Sequence, residues 1–286
     1  MTTSTPHWPR STASPSTTTT TPTTDRTGVL STADVAALGI GPLDARSVIL
    51  SALLGSHPPK LPARSLVALA ERFSIRPGTI RTSLSRMVAN GELDHVDGDY
   101  QLAGRLIGRQ REQDAGRRVA DEPWDGSWIS VIVERDRRSV AERRAFRASM
   151  VGARMAELRP DIWLRPGNID EPSPSADVLV TRGSLRCDDV IDLVKRLWPL
   201  DAIERSATTL RRALDLQRPV IDDHDDATLP TTFVVAAAAV RFLRVEPQLP
   251  AELVPPTWTP PSIRPLYDDF ARAFQRQLSG FFAAID

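Results

Sequence analysis

The sequence predicts an α+β protein, because three patterns follow one another along the chain. Residues 61–103 combine helical periodicity with two short β segments, residues 122–199 alternate strand and helix patterns, and residues 200–286 are helical. A chain of 286 residues with 41% hydrophobic and 25% charged residues is long enough for two or three soluble domains. We expect a tail at 1–42, a compact domain at 43–103, a connecting helix at 104–121, a second domain at 122–199 and a helical domain at 200–286.

The N-terminal tail has a composition that cannot build an apolar core. Its first 24 residues hold eleven Thr, four Ser and four Pro, so we expect the 1–42 tail to be disordered and order to begin near Leu43. Asp44 is a candidate N-cap for a helix over Ala45–Leu54, because a carboxylate there accepts hydrogen bonds from the first helical N–H groups.

Two further helices are predicted around a tight turn at residues 74–78. Pro77 suits the first position of the second helix, where an N–H has no helical partner, and Asn90-Gly91 suits its end. The apolar positions at helical spacing are Leu66, Leu69, Ala70 and Phe73 in the first helix and Ile80, Leu84, Met87 and Val88 in the second.

Two short β segments follow these helices. Leu93–Val96 and Tyr100–Leu102 flank Asp97-Gly98-Asp99, a favourable hairpin turn. Helix, turn, helix and hairpin in this order predict a winged helix-turn-helix, which is typical of proteins that bind double-stranded DNA.

The outer face of the second helix is the candidate DNA-binding site. Small hydroxyl side chains let a helix approach base edges closely, and arginine donates two parallel hydrogen bonds to O6 and N7 of guanine. The predicted site residues are Arg76, Thr79, Arg81, Thr82, Ser85 and Arg86. Of these, Thr79, Thr82, Ser85 and Arg86 point away from the apolar positions, and Arg81 lies on the flank. The alternative is an ordinary solvated helix that carries arginines.

Charge is balanced overall but unevenly distributed. Lys+Arg and Asp+Glu both total 36, so no overall basic charge marks a nucleic-acid partner. Residues 44–118 hold twelve basic and eight acidic residues, whereas residues 201–286 hold nine basic and twelve acidic ones. This asymmetry fits a mildly basic DNA-binding domain joined to a mildly acidic domain with another role.

Cysteine usage and hydropathy predict a cytoplasmic protein. Cys187 is the single cysteine, which excludes an intramolecular disulfide and a cysteine-cluster metal site. The N-terminus lacks the apolar segment of a secretory signal. The longest apolar run, Phe233–Val240, is far shorter than the ~20 residues of a membrane-spanning helix.

The rest of the chain is predicted to contain the connecting helix, one domain of mixed strands and helices, and one helical domain. The arginines of the 104–121 helix either contact DNA phosphates or form a solvated face. The order βαββα in the second domain is most of a ferredoxin-like fold. The predicted elements are strand Trp128–Val133, helix Val140–Leu158, strands Asp161–Arg165 and Asp177–Thr181, and helices Asp188–Trp198, Leu200–Leu216, Pro230–Val245 and Pro265–Ile285.

Four stretches resemble the PaaX-like repressors of phenylacetate catabolism. They are residues 45–55 (ARSVILSALLG), residues 76–93 with their core RTSLSRM, residues 124–128 (WDGSW), and residues 249–255 (LPAELVP) with Trp258. The first two are common to many winged helices, and the last two are more specific to this family.

The resemblance implies a winged-helix head, a central ferredoxin-like domain similar to small CRISPR-associated nucleases, and a helical tail. It also implies a homodimeric transcriptional repressor on a palindromic operator, released by an acyl-coenzyme A (acyl-CoA) effector. Relatives usually carry a longer, basic wing, whereas the tip here is Asp97-Gly98-Asp99, which phosphate would repel.

Two other classes of function were weighed. A metal-dependent nuclease on the second domain would need acidic ligands such as Glu134 and Asp136, and Asp222–Asp226 could bind a cation or form a solvated loop. A protein-interaction scaffold would use the winged helix for protein contacts. We expect no catalytic residues, no metal site and no cofactor beyond the implied effector. The effector pocket stays unassigned, since the eight arginines from Arg135 to Arg159 could hold coenzyme A phosphates or form a solvated face.

Overall fold

In the part of the chain that the structure describes, the protein is a mixed α+β molecule with two antiparallel sheets, as the sequence predicts. The computed structural model describes residues 30–56, 58–104, 123–134, 138–172, 177–222 and 226–285. The helices are α1 (Thr32–Ala37), α2 (Ala45–Gly55), α3 (Ala63–Arg72), α4 (Pro77–Ala89), α5 (Val140–Gly152), α6 (Val190–Leu197), α7 (Leu200–Asp222), α8 (Leu229–Val245) and α9 (Ile263–Ala283). The strands are β1 (Lys60–Pro62), β2 (Leu93–Val96), β3 (Asp99–Leu102), β4 (Ser127–Val133), β5 (Ala156–Arg159), β6 (Ile162–Pro166) and β7 (Val178–Ser184).

The chain divides by its internal contacts into two compact units. The predicted boundaries at residues 43, 104, 122 and 200 divide the chain along its length and stay predictions. Of the predicted connecting helix at 104–121, all but Gly104 lies outside the described residues. Among the described residues, the first unit contains 30–104, 206–241 and 262–285, and the second contains 123–205 and 242–261.

Helices α2, α3 and α4 form where the sequence predicts them. The Asp44 carboxylate accepts a hydrogen bond from the Ser47 backbone N–H at 2.8 Å, so the predicted N-cap of α2 is confirmed. Pro77 lies in the first turn of α4, and Ser74 takes a positive φ of 56° in the turn before it. The buried core positions are Val48, Ile49, Ala52 and Leu53 of α2, Leu66, Leu69 and Ala70 of α3, and Ile80, Leu84 and Met87 of α4.

The hairpin predicted after α4 is confirmed, and it belongs to a three-stranded sheet. Asp97 (φ 53°) and Gly98 (φ 86°) both have positive φ, as a two-residue type I′ turn requires. Strand β1 pairs with β3 on its other side, which gives the order β1-β3-β2. Strand β1 was not predicted, because three residues that include Pro62 are too few to show a strand alternation.

Order begins earlier than predicted. Helix α1 lies within the tail expected to be disordered up to residue 42, so that expectation is wrong for this part of the tail. Ser31 and Asp34 form a reciprocal capping box at the start of α1, and Leu30 and Leu38 are buried on either side of it. Residues 1–29 lie outside the described residues.

The second unit contains an antiparallel sheet with the order β5-β6-β4-β7. The predicted helix Val140–Leu158 is too long, because α5 ends at Gly152 and Ala156–Arg159 is strand β5. Arg154 and Asp161 take positive φ values of 60° and 67°, which ends the helical path and turns β5 back onto β6. The predicted order βαββα therefore gains one strand, and a ferredoxin-like arrangement stays a prediction.

The three C-terminal helices are confirmed, although α7 runs past the predicted Leu216 and through Pro219. The segment Asp226–Val245 is long and apolar enough to cross a membrane by length and composition, a test that the core helix of a soluble protein also passes. Its residue Phe233 is 1% exposed and packs edge-on against Phe73 and Phe274, as a core residue does.

Candidate nucleic-acid interface

Five of the six residues that the sequence predicts for the site lie on the exposed side of α4, and the sixth, Arg76, is exposed at the N-cap just before the helix. The opposite face, with Ile80, Leu84 and Met87, is buried in the first unit. The side chains that would contact a partner therefore do not belong to the core. We call this set the α4 surface: Arg76, Thr79, Arg81, Thr82, Ser85 and Arg86.

Part of the α4 surface lines one open depression of about 630 Å³. Arg81 and Ser85 are exposed outside its lining. A Cβ at Gly78 would meet no atom within 4 Å, so the missing side chain leaves the first turn of α4 open to a close partner. The residues that line the depression are Arg76, Thr79, Thr82 and Arg86 of the α4 surface together with Asp44, Ala45, Arg46, Gly78 and Ser83.

Two of the three hydroxyl groups of the α4 surface use their protons within the helix. Thr82 Oγ1 donates to the Gly78 carbonyl at 2.9 Å, and Ser85 Oγ donates to the Arg81 carbonyl at 3.1 Å. Each oxygen keeps lone pairs that can accept a further hydrogen bond. These side chains are therefore suited to accept from a base amino group, while the arginines donate.

One carboxylate lies among the cations of the depression. Asp44 caps α2, and the backbone and side-chain hydrogen bonds of Ser47, followed by the charges of Arg46 and Arg86, lower the pKa of that carboxyl below its usual 3.8. The Asp44 side chain therefore stays ionised at neutral pH. Arg46 is itself held by Glu92, whose Oε2 accepts from Arg46 Nε at 2.8 Å.

The sequence analysis missed this set of charges around α4. Asp44 was predicted only as a cap, and Arg46 and Glu92 are 46 residues apart in sequence, so no local pattern joins them. Their proximity follows from the packing of α2 against α4, which no periodicity shows.

The acidic tip of the hairpin has two different carboxylates. Asp97 is exposed in the turn. Asp99 pairs with Lys60 of β1, with its Oδ2 3.1 Å from the Lys60 Nζ. Asp99 therefore has a partner within the sheet, which the sequence analysis did not foresee.

The candidate metal ligands fall mainly outside the described residues. Asp136 and the residues 223–225 of the acidic run are not described, whereas Glu134, Asp222 and Asp226 are. Among the described residues, no group of three His, Cys, Asp or Glu side chains is arranged to hold a metal ion.

Two of the arginines considered for coenzyme A phosphates, Arg138 and Arg147, have local contacts. Arg138 lies over the Phe146 ring and pairs with Asp161. Arg147 lies over the Trp163 ring and pairs with Glu157. These contacts hold the two arginines against neighbouring side chains and do not identify an effector pocket.

Comparison with known proteins places the chain in a family. The profile of the PaaX-like protein matches residues 44–106, and that of the PaaX-like protein C-terminal domain matches residues 198–284, together just over half of the chain. A solved structure of the uncharacterized protein Rv0674 from Mycobacterium tuberculosis is 36% identical, with a TM-score of 0.65, and covers 83% of this chain and 98% of its own. No match was found among curated proteins. The chain therefore belongs to the PaaX-like family, which points to a transcriptional regulator.

Proposed function

We propose that the protein is a sequence-specific DNA-binding repressor in which residues 43–103 form a winged helix-turn-helix. The observation that carries this proposal is the α4 surface, where two arginines and three small hydroxyl residues share the exposed side of one helix and Arg76 is exposed at its N-cap. Helix α4 would lie in the major groove with its N-terminal residues toward the base edges.

Each part of the α4 surface has a role that follows from its chemistry. Arg86 and Arg81 donate two parallel hydrogen bonds to guanine O6 and N7. Thr82 and Ser85 accept from base amino groups, because their protons are already used. Arg76 and Thr79, at the first turn, contact phosphate, where the N-terminal end of the helix dipole also favours negative charge.

The rest of the proposal concerns assembly and release. Palindromic half-sites require a two-fold symmetric protein, so we propose a homodimer with two copies of the α4 surface. We propose further that an acyl-CoA effector releases the dimer from DNA. In the second unit, a cleft of about 780 Å³ that includes Ile191, Lys195, Leu253 and Trp258 has the size and the largely apolar lining suited to the acyl part.

The test begins with selection of high-affinity duplexes from a random library by the purified full chain. Arg86→Ala should bind the selected duplex about 1–3 kcal/mol more weakly and lose preference at one base position. The matched control is Arg211→Ala, which removes one exposed arginine of α7 and should bind like wild type.

Four outcomes contradict the proposal. If Arg86→Ala keeps its operator affinity at fixed salt, that residue does not read bases. Failure to select any duplex, or affinity without salt dependence, would favour a protein-interaction scaffold instead. Cleavage of the duplex on addition of magnesium would favour the nuclease.

A further inference from the structure

The guanidinium of Arg165 is the most enclosed charged group in the described chain. Arg165 lies on β6 and is 1% exposed. Its Nη2 donates to the Ile169 carbonyl at 3.0 Å and to the Asp170 carbonyl. Among the described residues, none accepts a hydrogen bond from its Nε or Nη1. Two of its three nitrogens are therefore buried without an acceptor, which costs free energy in a folded protein.

The charge of Arg165 also lacks a direct counter-ion. Among the described residues, no carboxylate forms an ion pair with it. Arg165 and Arg182 both lie opposite Ile129, on the two strands that flank β4, so their side chains leave the sheet on the same face. Burial and, next, the like charge of Arg154 lower the pKa of Arg165 to about 10. The negative charges of Asp170 and Glu171 raise this pKa but offset the lowering only in part.

Gln248 adds unpaired polar atoms beside the loop formed by residues 167–171, which Arg165 also contacts. The Gln248 carbonyl accepts from Asn168 Nδ2 at 2.7 Å, while Arg165 holds the next two residues of that loop. The Nε2 and Oε1 atoms of the Gln248 side chain are buried without partners. Arg165 and Gln248 thus supply four of the nine unpartnered buried side-chain atoms found among the described residues.

We propose that Arg165 and Gln248 bind a small oxyanion, as a phosphate or carboxylate group, beside loop 167–171 of the second unit. Such a group accepts from Arg165 Nε and Nη1 and from Gln248 Nε2, and it supplies the missing negative charge. Water would satisfy the N–H groups but would leave the buried charge uncompensated. The site is separate in its residues from the α4 surface and does not depend on DNA binding.

The first experiment measures anion binding by the full chain without DNA. Thermal unfolding and titration calorimetry are run in sodium phosphate, sodium acetate or sodium chloride at one ionic strength. We expect saturable stabilisation by phosphate or by acetate, with the folding equilibrium constant raised about 100-fold at 100 times Kd. Which of the two acts identifies the group that the site takes. Equal effects of all three salts would overturn the proposal.

Variants locate the effect. Arg165→Gln should abolish the anion-dependent stabilisation, and Gln248→Asn should weaken it, because Asn tolerates the positive φ of 53° but has a shorter side chain. Arg186→Gln, which removes an exposed arginine of the same unit, should respond like wild type. An unchanged response in both Arg165→Gln and Gln248→Asn would refute the assignment.

A measurement on the wild type covers the case in which Arg165→Gln does not fold. The Nε–H signal of Arg165, followed by NMR, should shift on addition of the anion that stabilises the protein. A signal that does not move while the protein is stabilised would place the anion elsewhere. Neither result affects the DNA-binding test, so failure of one proposal is distinguishable from failure of the other.

Discussion

At the scale of single residues, the proposed base recognition would depend on how the charges beside α4 balance one another. Asp44 and Arg86 line the same depression, and the Arg86 charge contributes to the lowered pKa of Asp44. The fixed Asp44 carboxylate beside Arg86 should repel phosphate and favour one orientation of the Arg86 guanidinium. Asp44 therefore has two roles, to cap α2 and to orient Arg86. Substitution by Asn separates them, because Asn also caps helices well but carries no charge.

Asp44→Asn should keep α2 and change DNA selectivity. Loss of the negative charge should tighten binding to random duplex, because phosphate is no longer repelled. Discrimination between the selected and the random duplex should fall, since Arg86 loses an oriented neighbour. The measurement is the ratio of the two Kd values at one salt concentration. An unchanged or larger ratio would show that Asp44 acts only as a cap.

The two carboxylates at the hairpin tip should respond differently to neutralisation. Asp97→Asn should preserve the turn, because Asn tolerates a positive φ, and should bind DNA as tightly as wild type or more tightly. Asp99→Asn removes the partner of Lys60, a partly exposed pair worth about 0–1 kcal/mol, so it should lower stability slightly. Duplex titration and urea unfolding check both. Clear weakening of DNA binding by Asp97→Asn would show that the tip has a positive role.

At the scale of elements, helix caps make the first unit sensitive to acid. The Ser31 side-chain and backbone hydrogen bonds lower the pKa of Asp34, and those of Ser47 lower the pKa of Asp44. A carboxyl whose pKa is lower in the folded state than in the unfolded state stabilises the fold above the unfolded value. That contribution is lost as pH falls through the folded value.

We therefore expect the free energy of unfolding to fall as pH drops below about 4. Urea unfolding as a function of pH measures this decline. Asp44→Asn should flatten the decline, because Asn keeps the cap without a titrating group. A variant whose stability declines as steeply as that of the wild type would contradict the role of the Asp44 cap.

The long helices were predictable from sequence, whereas two of the shortest elements, β1 and α1, were not. Periodicity over four or more turns predicted the start of α7 and both ends of α8 and α9 closely, whereas α7 continues past the predicted Leu216 to Asp222. Strand β1 and helix α1 are too short to carry such a signal. The error at β5 has a different cause, because Ala156–Arg159 continues an apolar spacing of α5 although the backbone turns at Arg154.

Some features of the candidate site were likewise predictable from sequence, and others were not. All six residues of the α4 surface are exposed as predicted, since one helical period separates an inner from an outer face. The pairing of Arg46 with Glu92 and the loop contacts of Arg165 depend on residues brought together by tertiary packing. Sequence spacing carries no record of those contacts.

At the scale of the whole molecule, the regulator should be a dimer that an acyl-CoA thioester removes from DNA. Emptying a nearly saturated operator requires the effector to favour the DNA-free state by ~5.5 kcal/mol. Gel filtration should give a dimer, and operator affinity should fall with one member of an acyl-CoA panel. A monomer whose affinity ignores every thioester would contradict this part of the proposal.

A genomic footprint of the wild type beside Arg86→Ala tests the central claim most directly, because it examines sequence recognition and the role of α4 together. The wild type should protect a small set of sites, each with two inverted half-sites roughly 10 base pairs apart, centre to centre. Arg86→Ala, at equal protein level, should lose these sites or spread to related sequences. Wild-type occupancy without any shared sequence, or the same footprint in the variant, would contradict base reading by α4.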